Sequence, residues 1–199
     1  MSIYRPSGVT TVFKSSRKQK SIHIGELHAS REPTVIYTLL GSCVAVCIFD
    51  LEARIGGMNH ILLPGKPICR GFDIAASYGI NAMELLINRI MGLGGDRGRL
   101  LAKVFGGAHL LPSISKQNGV GEKNILCALE FLDNESIRVI SQDLGGYQPR
   151  KIFFRTDTGE VLLKRVPTTI PPRVVQEEQK LLKRNEQEIN RPGSVVMFK

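Results

Sequence analysis

The chain has 199 residues and more basic than acidic side chains, 27 Lys and Arg against 18 Asp and Glu, so its formal net charge is +9. This length predicts a single domain with short extensions. A hydrophobic content of 42% and a charged content of 23% are typical of a globular protein. They exclude an extensively disordered, collagen-like or coiled-coil chain.

The excess positive charge lies at the two ends of the chain. Residues 1–20 carry five basic side chains and no acidic one, whereas residues 21–163 carry 14 of each sign. A nucleic-acid-binding domain is expected to place positive charge within its fold, so the sequence does not predict nucleic acid as a partner. We predict a flexible basic arm over 1–20, a domain over 21–166, and a proline-broken, partly helical basic extension over 167–199.

The apolar segments are too short for a membrane protein. The longest uninterrupted apolar run, residues 43–49, falls far below the roughly 18 residues that span a bilayer. The N-terminus also lacks the apolar segment of a secretory signal. Four cysteines are too few for a disulfide scaffold. The sequence therefore predicts a cytoplasmic protein without membrane insertion.

The order of elements predicts the fold class. Apolar periodicity and turn residues predict strands and helices in this order: strands at 21–27, 34–40, 44–49 and 54–63, a helix capped by Asp73 and running to 91, a strand at 100–105, a helix at 123–132, and strands at 138–141, 151–156 and 161–166. Residues 44–49 are apolar on both faces, which indicates a central strand. Strands and helices mixed without strict alternation predict an α/β fold. Its expected form is a single-domain, α/β/α-type layered sandwich with a mixed β-sheet.

Cys43 lies in Leu40-Gly41-Ser42-Cys43-Val44, between two predicted strands. Glycine and serine suit a tight turn, and a thiol at a strand end can act as a nucleophile. The alternative is a packing role, because free cysteines are among the most buried residues. Cys47 would point to the same side, but a structural zinc needs four ligands. The sequence therefore predicts that Cys47 is a core residue and that there is no metal site.

His60 ends the glycine-rich segment Gly56-Gly57-Met58-Asn59-His60. Two adjacent strands joined by a short turn would bring its imidazole near the Cys43 thiol, the arrangement in which histidine accepts the thiol proton. The alternative is a histidine that simply bonds to the backbone. His109 is a second candidate base. Thr38 could orient the histidine, although β-propensity alone also accounts for a threonine in a strand.

These segments occur together with other motifs in a characteristic order. The motifs are TLLGSCVAV at 38–46, IGGMNH at 55–60, Leu63-Pro64, KVFGGA at 103–108, Gly121 with Asn124, and Asp143-Leu144-Gly145-Gly146 followed by Arg150. From about residue 22 to 166 the chain closely resembles the CheD family, the chemoreceptor glutamine deamidases. Any one motif is weak, but their combination and spacing are highly specific.

The resemblance implies an α/β/α-type sandwich with a cysteine-hydrolase-like site and no cofactor. It identifies Cys43 as the nucleophile, His60 as the catalytic histidine and Thr38 as the residue that orients it. Backbone N–H groups near Ser42 and Val44 are then the candidates for holding the oxyanion. The implied activity is hydrolysis of specific glutamine amides on methyl-accepting chemotaxis receptors to glutamate, with release of ammonia.

The resemblance also implies variations on this activity. Some family members hydrolyse glutamyl methyl esters, and in some bacteria they bind a CheC-like phosphatase. A non-catalytic adaptor that binds receptors or such a phosphatase is the alternative function, with a vestigial cysteine. An activity assay separates the enzyme from the adaptor.

Overall fold

The computed structural model describes residues 17–62, 74–110 and 119–167. Their strands are β1 Lys18–Ser21, β2 Leu27–Ser30, β3 Thr34–Leu40, β4 Val44–Asp50, β5 Ile55–Ile61, β6 Leu101–Gly106, β7 Arg138–Leu144, β8 Arg150–Arg155 and β9 Val161–Arg165. The helices are α1 Ile74–Gly92 and α2 Val120–Asn134, with a short 3-10 helix at Arg97–Arg99. The predicted strands from β3 onward and both predicted helices are confirmed. The cap predicted at Asp73 and most of the C-terminal extension lie outside the described residues.

The described strands form two mixed sheets. One has four strands in the order β1-β3-β8-β9, and the other has five in the order β2-β5-β4-β6-β7. The pairs β1–β3 and β6–β7 are parallel and the remaining pairs are antiparallel. The α/β class and the layered arrangement are confirmed. The strands divide between two sheets, whereas the sequence predicts one.

Strand β4 shows how the layers are stacked. All seven of its residues are buried, because both faces of the strand are covered. Val44, Val46 and Ile48 belong to the core beneath the helices, whereas Ala45 and Cys47 belong to the core between the two sheets. Both helices pack on the five-stranded sheet. Within the described residues the layers are therefore helices, five-stranded sheet and four-stranded sheet, without the second helical layer of an α/β/α sandwich.

Two glycines let strand β5 fit between these layers. A Cβ on Gly56 would lie 2.7 Å from the carbonyl oxygen of Thr156, the residue that follows β8 of the four-stranded sheet. A Cβ on Gly57 would lie 2.6 Å from Leu86 Cδ1 of α1. Both distances are too short for a side chain, so only glycine permits this packing on each side of the strand. The close packing holds the next residues of β5 against the opposite sheet.

The predicted strand over residues 21–27 is wrong. The chain leaves β1 at Ser21, turns through Gly25, which has a φ of +82°, and begins β2 at Leu27. The Glu26 carboxylate accepts a hydrogen bond from the His23 N–H at 3.0 Å. The turn is needed because β1 pairs with β3 and β2 pairs with β5. Residues 22–26 therefore form a crossover between the two sheets, a partnership that a local β-branched pattern does not reveal.

Part of the predicted basic arm also belongs to a sheet. Residues 18–20 run parallel to β3 as an edge strand. Arg17 donates to both carboxylate oxygens of Asp157, at 3.2 and 2.9 Å. The exposed side chains of an edge strand carry no apolar pattern, so the composition of this segment resembles that of a solvated tail.

Candidate active site

Cys43 lies where the chain passes from one sheet to the other. Strand β3 of the four-stranded sheet ends at Leu40, Gly41-Ser42 form a bend, and Cys43 immediately precedes β4 of the five-stranded sheet. Cys43 is buried in the core between the sheets. It is a free thiol. The tight turn that the sequence predicts before Cys43 is present.

His60 lies on the same face of the five-stranded sheet as Cys43. It is paired with Ala45 across the β4–β5 ladder. Ala45, Cys43 and the two residues flanking His60 on its face, Met58 and Leu62, all belong to the core between the sheets. Cys43 is thus a diagonal cross-strand neighbour of His60, a relation with a Cβ separation of about 7 Å or less. Cys43, one residue before β4, and His60 in β5 therefore lie on the same face of the five-stranded sheet. A direct contact between the thiol and the imidazole stays a prediction.

Thr38 reaches His60 from the opposite sheet. Its hydroxyl oxygen lies 2.8 Å from His60 Nδ1 and donates its own hydrogen to the Ile22 carbonyl, also at 2.8 Å. Because a hydroxyl has one hydrogen, its oxygen can only accept from the imidazole. Nδ1 therefore carries the proton of the neutral ring, and Nε2 carries the lone pair.

The crossover at residues 22–26 also holds the main chain of His60. The His60 N–H donates to the Glu26 carbonyl at 3.0 Å, and the His60 carbonyl accepts from the Gly25 N–H at 2.8 Å. The same segment supplies the Ile22 carbonyl that orients Thr38. The β-branched pattern of residues 22–26 predicts a strand, so the sequence does not reveal this support.

Burial keeps the His60 imidazole neutral. His60 is 4% exposed. Burial and, to a smaller extent, the charge of His23 lower its pKa to about 3. Within the described residues, the buried Nε2 atom has no hydrogen-bond partner. A neutral imidazole with an open Nε2 beside a thiol has the protonation state of a general base.

The backbone carbonyls of the Cys43 turn all bond outward to neighbouring elements. The Gly41 carbonyl accepts from the Ala108 N–H at 2.8 Å and the Cys43 carbonyl from the Gly107 N–H at 2.7 Å. The Ser42 carbonyl accepts from Asn124 Nδ2 at 2.9 Å. The three donor residues belong to sequence motifs, but the motifs do not indicate that these residues hold the Cys43 turn. Glycines beside a candidate nucleophile and a polar residue on a helix face are the available sequence signals.

Arg150 stabilises the Cys43 turn indirectly, through residues that do not themselves belong to the turn. It is fully buried and donates to the Asp143 carbonyl at 2.6 Å, to the Asp143 carboxylate and to the Gly145 carbonyl. Burial lowers the pKa of its guanidinium, although the Asp143 carboxylate opposes that shift. The Gly145 N–H then donates to the Gly106 carbonyl at 2.9 Å. Arg150 thus holds the loop that contacts the segment bonded to the Cys43 turn.

The remaining candidate residues lie in other environments. The N–H of His109 donates to the Gly146 carbonyl at 2.8 Å, and its ring meets the edge of Tyr147, with ring centroids 6.2 Å apart. Cys47 is buried in the core, and burial raises the pKa of its thiol. Ser42 and Val44 flank Cys43 in the chain, and their part in holding an oxyanion stays a prediction.

In 17–62, 74–110 and 119–167, no group of three or more His, Cys, Asp or Glu side chains could hold a metal ion. Over the same ranges, no helix has both the length and the apolar character needed to cross a membrane.

The chain is thus a two-sheet α/β protein with a cysteine, a histidine and a threonine together at one end of the sandwich. The profile of the CheD family, described as CheD chemotactic sensory transduction, matches residues 62–165. The probable chemoreceptor glutamine deamidase CheD 1 of Shewanella oneidensis is 47% identical over 146 residues, which cover 72% of this chain and 70% of that protein.

Two other relatives carry the same description. The probable chemoreceptor glutamine deamidase CheD of Vibrio cholerae serotype O1 is 40% identical over 163 residues, 78% of this chain and 69% of the relative. CheD 1 of Albidiferax ferrireducens is 42% identical over 174 residues, 87% of this chain and 73% of the relative. The chain belongs to the CheD family.

Proposed function

We propose that the protein is a chemoreceptor glutamine deamidase, a protein-glutamine glutaminase that converts glutamine side chains of methyl-accepting chemotaxis receptors to glutamate. Membership of the CheD family, and relatives named for this activity, support the reaction and the substrate class. The observation that carries the chemistry is the Thr38–His60 hydrogen bond, which leaves His60 Nε2 as the basic atom on the face shared with Cys43.

In the first half of the reaction the Cys43 sulfur attacks the carbonyl carbon of the glutamine amide, and His60 Nε2 accepts the thiol proton. Because the low pKa of His60 keeps the imidazole neutral before attack, proton transfer accompanies formation of the carbon–sulfur bond. Backbone N–H groups near Ser42 and Val44 hold the tetrahedral oxyanion. His60 then protonates the departing nitrogen, the carbon–nitrogen bond breaks, and ammonia leaves a γ-glutamyl thioester.

In the second half a water molecule attacks the thioester. His60 Nε2 accepts a proton from the water, the carbon–sulfur bond breaks, and the proton returns to the Cys43 sulfur. The products are glutamate and the free enzyme. The same sequence of steps hydrolyses a glutamyl methyl ester, with methanol in place of ammonia, so we include esters among the proposed substrates.

The proposal also covers location and partners. Receptor glutamines of this class are reached from the cytoplasm, and the low content of four cysteines in 199 residues suits a reducing compartment. A CheC-like phosphatase is a proposed further partner. Co-purification with such a phosphatase from the same organism would support that part, and absence of binding between the two purified proteins would contradict it.

The decisive experiment compares two buried cysteines that are four residues apart. Receptor peptides are incubated with wild type, Cys43→Ala and Cys47→Ala, and mass spectrometry records conversion of glutamine to glutamate. We expect Cys43→Ala to abolish conversion and Cys47→Ala, which alters a core thiol on the same sheet face, to retain it. Conversion by Cys43→Ala at the wild-type rate would overturn the proposed function.

A further inference from the structure

We propose that Asn124 is a positioning residue for the Cys43 nucleophile. Its side chain is 1% exposed and lies in the first turns of α2. There its amide donates to the carbonyl of Ser42, the residue immediately before the nucleophile. The inference rests on the proposed function of Cys43 and extends it to a residue with no task in that mechanism.

Hydrogen bonds from three donors hold the Cys43 turn. Its three consecutive carbonyls, those of Gly41, Ser42 and Cys43, accept hydrogen bonds from Ala108 N–H, Asn124 Nδ2 and Gly107 N–H. Two of these donors are main-chain groups, which no substitution of a side chain removes. Of these three hydrogen bonds, the one to the Ser42 carbonyl comes from a side chain. The plane of the Ser42–Cys43 peptide therefore depends on Asn124.

Close backbone packing brings α2 within reach of the turn. A Cβ on Gly107 would lie 2.5 Å from Ile125 Cδ1, and a Cβ on Gly121 would lie 2.5 Å from the Gly107 carbonyl oxygen. Gly106, with a φ of +116°, would meet the Cys43 carbonyl oxygen at 2.2 Å. Glycine at these positions removes the side chains that would separate α2, the end of β6 and the Cys43 turn. This close packing places Asn124 within hydrogen-bond distance of the Ser42 carbonyl.

The chemistry of the amide fits this task. Asn124 Nδ2 donates a hydrogen to an acceptor without placing a charge beside a sulfur that must become nucleophilic. An aspartate at this position would direct carboxylate oxygens at the Ser42 carbonyl, and the repulsion would rotate the peptide. Because the Ser42–Cys43 peptide sets the direction of the cysteine Cα–Cβ bond, its rotation would move the sulfur relative to His60. Displacement of a reacting group by about 1 Å can cost about 100-fold in rate.

The test uses Asn124→Ala and Asn124→Asp, with Asp50→Asn as the control for lost stability. Asp50 lies at the opposite end of β4 from Cys43, and its buried carboxylate pairs with Arg99, so its loss destabilises the fold without touching the turn. For each variant, kcat and KM for receptor-peptide deamidation are measured per folded molecule. Alkylation of Cys43 by iodoacetamide is followed by mass spectrometry, which needs no receptor.

We expect kcat to fall about 10- to 100-fold in both Asn124 variants, with KM within about twofold of wild type. Alkylation of Cys43 should slow in the same variants, and Asp50→Asn should leave both rates unchanged. Asn124→Ala with kcat and alkylation within about twofold of wild type would overturn the proposal, as would equal losses in Asp50→Asn. If Asn124→Ala does not fold, Asn124→Asp decides by the same criteria. Full activity of Cys43→Ala would instead remove the proposed function, while the alkylation rates would still measure how Asn124 positions the thiol.

Discussion

The two ends of the β-sandwich bury polar groups in different ways. At the end that holds Cys43, the buried side chains of Thr38, His60 and Asn124 are neutral and bond to one another or to backbone carbonyls. The buried charge at this end is Arg150, which is paired with Leu40 across the β3–β8 ladder and bonds to Asp143. At the other end, the buried carboxylates Asp50 and Asp157 bond to arginines. The two ends therefore show what burial does to a titratable group with and without a partner of opposite charge.

The charged end stabilises the ionised form of its carboxylates. Burial by itself would raise the pKa of Asp50, but hydrogen bonds from Arg99 and from the N–H groups of Asp96 and Ala53 lower it to about 2. Burial likewise opposes ionisation of Asp157, and the Arg17 guanidinium keeps its pKa below the usual value. Both carboxylates stay charged at neutral pH. The ion pair of Asp50 holds the 3-10 helix that contains Arg99 against β4, and the ion pair of Asp157 holds Arg17, the residue before β1.

At the end that holds Cys43, burial instead disfavours the ionised form of His60. Burial and, to a smaller extent, the charge of His23 lower the pKa of His60 to about 3. A carboxylate beside His60 would favour imidazolium, which cannot accept a thiol proton. Among the described residues, no carboxylate contributes to the pKa of His60. Although the buried Arg150 pairs with Asp143 at this end of the sandwich, the imidazole therefore stays neutral.

The largest expected effect is on the proposed chemistry. His60→Asn should lower kcat for receptor-peptide deamidation by about 1,000-fold, because it removes the atom that accepts and returns the proton. His109→Asn is the matched control and should stay near the wild-type rate. The readout is the initial rate by mass spectrometry. A full-rate His60→Asn, together with a slow His109→Asn, would transfer the role of base to His109.

The next largest effect is expected from loss of the Thr38–His60 hydrogen bond, which joins the two sheets. Thr38→Val removes the acceptor for His60 Nδ1–H, so the ring loses its fixed tautomer, and kcat should fall about 10- to 100-fold. Thr38→Ser retains the hydroxyl and should keep most of the activity. Equal rates for the valine and serine variants would show that the hydroxyl does not orient His60.

A smaller effect, on stability rather than rate, is expected at the charged end. Asp50→Asn should lower the free energy of unfolding at pH 7 by about 2 kcal/mol, the value of a pKa shift from 3.8 to about 2. Because the native pKa is depressed, the wild-type advantage is complete above pH 3.8 and is lost as the pH falls toward 2. Urea unfolding of both proteins at several pH values measures the difference. A constant difference down to pH 2 would refute this origin.

The smallest effect concerns the N-terminal segment. Arg17→Gln should cost about 1 kcal/mol of stability, because Arg54 still lies 3.7 Å from the Asp157 carboxylate and compensates in part. Lys18→Gln is the control, since Lys18 and Glu32 form an exposed ion pair that should contribute little. Urea midpoints provide the comparison. A larger loss in Lys18→Gln than in Arg17→Gln would contradict the assignment.

The sequence by itself determined the elements with strong patterns and the identity of the candidate site. The run from Val44 is apolar on both faces, so it had to be central, and the turn between β4 and β5 is short. Adjacent antiparallel strands follow, and their spacing puts Cys43 and His60 on one face. The Thr38 position followed from the resemblance to CheD proteins.

Only the tertiary structure decided which surfaces meet. A local pattern shows that a face is apolar but not which face covers it, so one sheet and two sheets are indistinguishable in sequence. The crossover at 22–26, the donation from Thr38 to Ile22 that sets the His60 tautomer, and the bond from Asn124 to Ser42 all join residues of different elements. In each case the acceptor is a backbone carbonyl. Because every residue possesses one, no residue type in the sequence identifies the acceptor.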